Sequence, residues 1–143
     1  MTRMTSLAVS IMVESLPQAL GAAARAAELG ADLVELRIDR FTESPDQVSA
    51  LIERVALPCV ITCRPRWEGG DYDGDEQRRY SLLEQAAMGV RTSAYIDVEL
   101  AAYQQSADLR QRIEHVVDHP VQVRPTTTGL ILSSHDFAGR PID

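Results

Sequence analysis

The sequence predicts an α/β fold: a parallel (β/α)8 barrel, or TIM barrel, incomplete, with about the first five βα strands present. Three observations predict it. Five short, β-rich apolar runs recur along the chain, at residues 7–13, 33–38, 59–63, 94–100 and 129–134, each of strand length. Segments of helical composition lie between them, and such alternation pairs strands in parallel through helical crossovers. Charged residues fall at or near the C-terminal ends of strands two to five, where barrel active sites sit. A doubly wound sheet fits the same element order, but no GxGxxG follows the first strand.

The first helix is expected over residues 18–29, alanine-rich, after Pro17 and stopped by Gly30, the usual start and stop signals. The second is expected over 46–55, with Ser44 as cap and Pro45 at the first helical position. The third, over 75–90, places Tyr80, Leu83, Ala87 and Val90 on one face. A fourth, shorter helix is expected over 109–117, and residues 118–128 read as loop. Five strands do not close an eight-stranded barrel. The 143 residues are therefore expected to form one partial barrel domain, residues 1–143, truncated at the C-terminus, with two unpaired sheet edges and an open interior.

Composition bounds the function. Hydrophobic residues make up 45% and charged residues 24% of the chain, enough apolar content to fold. A formal net charge of −7 argues against nucleic acid or an anionic membrane as the main partner, since both need basic surface. All fourteen basic residues are arginine; the chain contains no lysine. Cys59 and Cys63 lie four apart in one strand, about 13 Å between Cα atoms, too far for a disulfide. They read as buried thiols, in keeping with a reducing cytoplasm. The N-terminal apolar run is short and broken by Ser10 and Glu14, so neither a secretory leader nor a transmembrane helix is expected.

The residues able to carry chemistry sit in the strands. Glu35 and Arg37, two apart in LVELRID, share a strand face; they either meet a substrate together or form a structural ion pair, since charges inside a buried strand are costly without a reason. Asp39 has the same parity at the strand end and suits a loop cap equally well. Arg64 ends the third strand and offers a planar fork to hydroxyl or carboxylate oxygens; Arg66 is the better candidate for a plain surface arginine. The acidic, glycine-rich segment 68–75 is either a mobile loop over the site or solvated loop. Asp97 and Glu99 share a face and suit support of Arg37 or Arg64. His135, after the fifth strand, can both take and give a proton near neutral pH. Ser10 is the polar residue inside the first strand, either a substrate contact or a small core residue. His115 and His119 alone do not make a metal site, and no metal is expected.

Together AVSIM, ELRIDRF, ITCRPRWEGG, YIDVEL and SSHDF, in this order, closely resemble the type I 3-dehydroquinate dehydratase family over essentially the whole chain. The resemblance implies a (β/α)8 barrel that dehydrates 3-dehydroquinate to 3-dehydroshikimate in the shikimate pathway, without a cofactor, as a homodimer in the complete enzyme. It implies an imine between a lysine and the substrate ketone, which makes the neighbouring proton removable. His135 matches the histidine that removes this proton and then expels the hydroxyl as acid. Glu35, Arg37 and Arg64 match residues holding substrate hydroxyls, Ser10 a substrate-contacting serine, and Glu68 a loop acid near the histidine. The family's lysine follows that histidine by one strand, and no lysine stands in for it here. The isolated chain is therefore expected to be inactive. A half-barrel that binds a ligand or pairs with another chain is the alternative.

Overall fold

The computed structural model describes residues 5–42, 44–117 and 127–139. Their elements run β1 (Ala8–Met12), α1 (Leu16–Glu28), β2 (Leu33–Arg37), α2 (Pro45–Arg54), β3 (Cys59–Thr62), a 3-10 turn (Arg66–Glu68), α3 (Glu76–Ala86), β4 (Tyr95–Glu99), α4 (Leu100–Gln105), α5 (Ala107–Val116) and β5 (Gly129–Ser133). The strands form one parallel sheet in the order β1-β2-β3-β4-β5. No strand reverses this order, as it would at the switch point of a doubly wound sheet. The sheet is the incomplete barrel that the sequence predicts.

The two faces of the sheet differ in chemistry. Val34, Leu36, Ile38, Ile61, Ile96 and Val98 are completely buried with the helices in one hydrophobic core. Removing each such side chain from water contributes about 1.5–3 kcal/mol. The alternate residues, Ser10, Glu35, Arg37, Thr62, Asp97, Glu99 and Ser133, lie side by side on the opposite face, as the register Ser10↔Glu35, Arg37↔Thr62, Thr62↔Asp97 and Glu99↔Ser133 requires. Strands β3 and β4 are buried nearly throughout, whereas β1 and β5 are largely open.

Local chemistry sets the helices. Ser15 and Gln18 form a reciprocal capping box at the start of α1. Ala19, Ala23 and Ala26 bury one stripe of it, small enough to bring the helix close to the sheet. Ser44 occupies the N-cap of α2 but makes no side-chain cap hydrogen bond, so Pro45 supplies the start signal. Helix α3 is capped by Asp75, which accepts from the Arg78 N–H.

Two expectations need correction. Helix α3 stops at Ala86 rather than Val90, because the Ser93 backbone N–H and Oγ, at 2.9 and 3.0 Å, both donate to the Ala86 carbonyl and close its last turn. Gly89 then turns at φ 139°, and Val90 is 98% exposed rather than on the buried face. The fourth expected helix is present as α5, but a short helix that was not expected, α4, precedes it; the two meet at Ser106, whose extended backbone ends α4 and whose Oγ accepts the Leu109 N–H to cap α5. The segment after β3 opens with a 3-10 turn over Arg66–Glu68. The expected loop 118–128 lies outside the described residues except for Thr127 and Thr128. Cys59 and Cys63 are buried free thiols, and no helix among the described residues is long and apolar enough to cross a membrane.

Candidate active site

The polar face converges at the C-terminal strand ends. Glu35, in the middle of β2, accepts Ser10 Oγ from β1 and Thr62 Oγ1 from β3, each at 2.8 Å, one on each carboxylate oxygen. Both hydroxyls therefore aim the carboxylate along the sheet. Arg37 does not pair with Glu35 as the ion-pair reading expected. Its Nε and Nη2 both donate to Asp39. That hydrogen bond, with the charges of Asp39, Glu35 and Asp71, holds the Arg37 guanidinium above its ordinary pKa.

Asp39 joins two strand ends and a loop. Besides Arg37 it accepts the backbone N–H of Arg64 at 2.8 Å and of Asp71 at 3.1 Å. It is only 4% exposed, and a buried carboxylate with this many donors is a fixed anchor. Arg40, next in sequence, bridges Glu14 and Asp71 at 2.8 Å each, so the loops after β1, β2 and β3 meet at one place.

Arg64 is the most constrained side chain of the site. Its Nη1 donates to Glu99 Oε2 at 2.7 Å and to Ser133 Oγ at 2.9 Å, and its Nη2 to Asp97 Oδ1 at 2.8 Å. Ser133 in turn donates to Asp97 at 2.6 Å. The acid pair Asp97 and Glu99 thus supports Arg64 and not Arg37. Glu99 is fully buried; burial pushes its carboxyl above the usual range, against the pull of Arg79 and Arg64.

Sequence reasoning missed Arg79. It lies on α3, fully buried, with Nη1 donating to Glu99 Oε1 at 2.6 Å and Nη2 to Glu76 at 2.7 Å. Burial alone would lower its pKa, but Glu76 and Glu99 outweigh burial and hold the guanidinium above its ordinary value. A signal was present: residues 79, 82, 83 and 86 are the buried stripe of α3, and arginine on a stripe of helical spacing demands a buried partner.

His135 follows β5 and faces Glu68 of the 3-10 turn. Glu68 Oε1 accepts the His135 backbone N–H at 2.9 Å and stands 3.2 Å from Nδ1. A proton on Nδ1 donated to Glu68 leaves Nε2 as the basic nitrogen. The Glu68 loop is seated by its glycines. Gly69 takes φ 82°, a backbone open to glycine, and the Phe137 ring fills the place of its missing Cβ. At Gly70 a Cβ would overlap the Arg64 carbonyl. The Tyr72 N–H returns to that carbonyl at 3.0 Å, so the loop is ordered against the strand end. Arg66 is exposed and pairs with Asp73. Among the described residues no group of three or more His, Cys, Asp or Glu side chains is placed to hold a metal ion; His115 is in the last turn of α5 and His119 lies outside the described residues.

The family model of type I 3-dehydroquinase matches residues 7–143. The 3-dehydroquinate dehydratase of Desulfotalea psychrophila is 35% identical over 131 residues, covering 92% of this chain and 51% of that protein. That of Methanothermobacter thermautotrophicus is 32% identical over 139 residues, covering 96% of this chain and 55% of that protein. The chain thus spans about half the length of these curated relatives. The crystal structure of 3-dehydroquinate dehydratase from Geobacillus kaustophilus superposes with a TM-score of 0.75 at 23% identity, over 95% of this chain and 52% of that one, and so shares its fold. On the family match over residues 7–143, the chain belongs to the type I 3-dehydroquinases.

Proposed function

We propose that this chain carries the hydroxyl-binding and proton-transfer part of a 3-dehydroquinate dehydratase site, built on a partial barrel domain. The observation that carries the reading is the Glu68–His135 pair, 3.2 Å apart, at the same end of the sheet as Arg64 and the polar inner face. In this reading His135 Nε2 removes the proton beside the substrate ketone, and Glu68 on Nδ1 fixes the orientation of the ring. The same proton then leaves with the substrate hydroxyl as water, which closes the balance from 3-dehydroquinate to 3-dehydroshikimate. Ser10, Glu35, Arg37 and Arg64 offer donors and acceptors matched to a polyhydroxylated ring. Arg64 is only 4% exposed, so it presents an edge to substrate rather than its whole fork. The imine requires a lysine, and the 143 residues contain none; that group must come from outside them.

The test is complementation. The chain is mixed with the remaining C-terminal part of the Desulfotalea psychrophila relative, then assayed for turnover and for borohydride-trapped adduct by mass spectrometry. Turnover in the mixture, adduct on the added part alone, and loss of turnover in His135→Ala support the reading. Adduct on this chain alone would contradict it. Binding of 3-dehydroquinate with no turnover in any mixture favours the ligand-binding half-barrel instead.

A further inference from the structure

We propose that Arg79 is a positioning residue of this site: from helix α3, and through Glu99, it holds the Arg64 guanidinium in place. The inference rests on the reading above that Arg64 meets substrate. Its geometric basis is independent of that reading.

Glu99 is shared without remainder. One carboxylate oxygen accepts Arg79 at 2.6 Å and the other accepts Arg64 at 2.7 Å. A fully buried carboxylate needs both cations, since a single guanidinium that also serves Asp97 at 2.8 Å leaves it undercompensated. Without Arg79, burial favours the protonated form of Glu99. Arg64 then loses a charged acceptor and with it one of the three directions that fix its plane. The groups facing Glu99 are Arg64 and Cys63 from the end of β3, Arg79 and Glu76 from α3, and Asp97 on its own strand.

A purely structural arginine on α3 would be satisfied closer to home. Glu76 is one turn away, and the Cys63 carbonyl accepts from Nη1 at 3.2 Å. Two of its bonds leave the helix, to the Cys63 carbonyl beyond the end of β3 and to Glu99, and the one to Glu99 reaches the polar face. Helix α3 also follows directly from the loop that carries Glu68, and Tyr72 Oη donates to the Asp75 carbonyl at 2.6 Å where the helix begins. One helix thereby references both the Glu68 loop and Arg64.

The experiment compares the wild-type chain with Arg79→Met, Arg79→Lys and Glu99→Gln. Guanidinium N–H resonances of Arg64, assigned by their loss in Arg64→Met, are read by NMR beside the affinity for 3-dehydroquinate. In wild type the Arg64 signals are sharp and slowly exchanging. They are expected to broaden in Arg79→Met and Glu99→Gln and to persist in Arg79→Lys, whose ammonium still reaches Glu99. Affinity is expected to fall about tenfold in Arg79→Met, a usual coupling within one charged network, and to return in Arg79→Lys. Unchanged Arg64 signals in a folded Arg79→Met overturn the proposal. If that variant does not fold, unchanged Arg64 signals in Glu99→Gln overturn it equally. Failure of the wild-type chain to bind 3-dehydroquinate counts against the functional reading, while the Arg64 signals still decide the role of Arg79.

Discussion

One sheet presents two faces that are stabilised by opposite means. The outer face of the middle strands is aliphatic and fully buried, with Val34, Leu36, Ile61, Ile96 and Val98 under the helices. The inner face of the same strands holds Glu35, Arg37, Thr62, Asp97 and Glu99, each tied to a named partner. Apolar burial is tolerant: any well-shaped side chain serves. A buried charge network is not, because each member removed leaves another uncompensated. The outer face therefore supplies the stability with which the inner face keeps its charges in one arrangement.

The sharpest way to break this contrast is Glu99→Ala. It takes one charged partner from both Arg64 and Arg79 at once, and breaking a buried pair costs about 3–5 kcal/mol. The urea midpoint is expected to fall furthest here. On the outer face, Leu36→Ala is expected to cost about 2–5 kcal/mol through lost burial and a residual cavity. A second outer-face change, Ile61→Val, should cost only about 0.5–1.5 kcal/mol, because shape is largely kept. If Glu99→Ala proved milder than Ile61→Val, the inner face would not be the demanding one.

Smaller effects sharpen the comparison. Ser10→Ala removes one of two donors to Glu35 at an exposed position, and about 1 kcal/mol or less is expected. The smallest expected signal is slow thiol labelling. Burial pushes the Cys59 thiol up to about 11 and the Cys63 thiol further up, so neither is a thiolate at neutral pH. Iodoacetamide should label the native chain slowly and the urea-unfolded chain quickly. Fast native labelling would mean that the outer face opens.

Much of this was legible in the residues. Each strand was visible as a short apolar run, and the polar residues placed two apart in LVELRID and AYIDVEL revealed an inner face. The motifs around His135 and Glu68 marked both as candidate residues through the family resemblance, and the contact between them is visible only in the fold. Helix ends were less legible. Nothing local marks Ala86 as the last residue of α3, because the Ser93 bonds that end it arrive from beyond the turn. Helix α4 was hidden because it starts directly after the last residue of β4, with no separate start signal.

The residues by themselves determined which side chains share a face, because the two-residue period of a strand is a property of local backbone geometry. Partnership was decided only in the folded molecule. Arg37 turns to Asp39 and not to Glu35, and Arg64 is clasped by Asp97, Glu99 and Ser133. Arg79 reaches the same cluster from a helix 20 residues before Glu99 in the chain. The pairings around Arg64 and Arg79 depend on strand register and on helix-to-sheet packing, which bring together charges that no spacing along the chain relates.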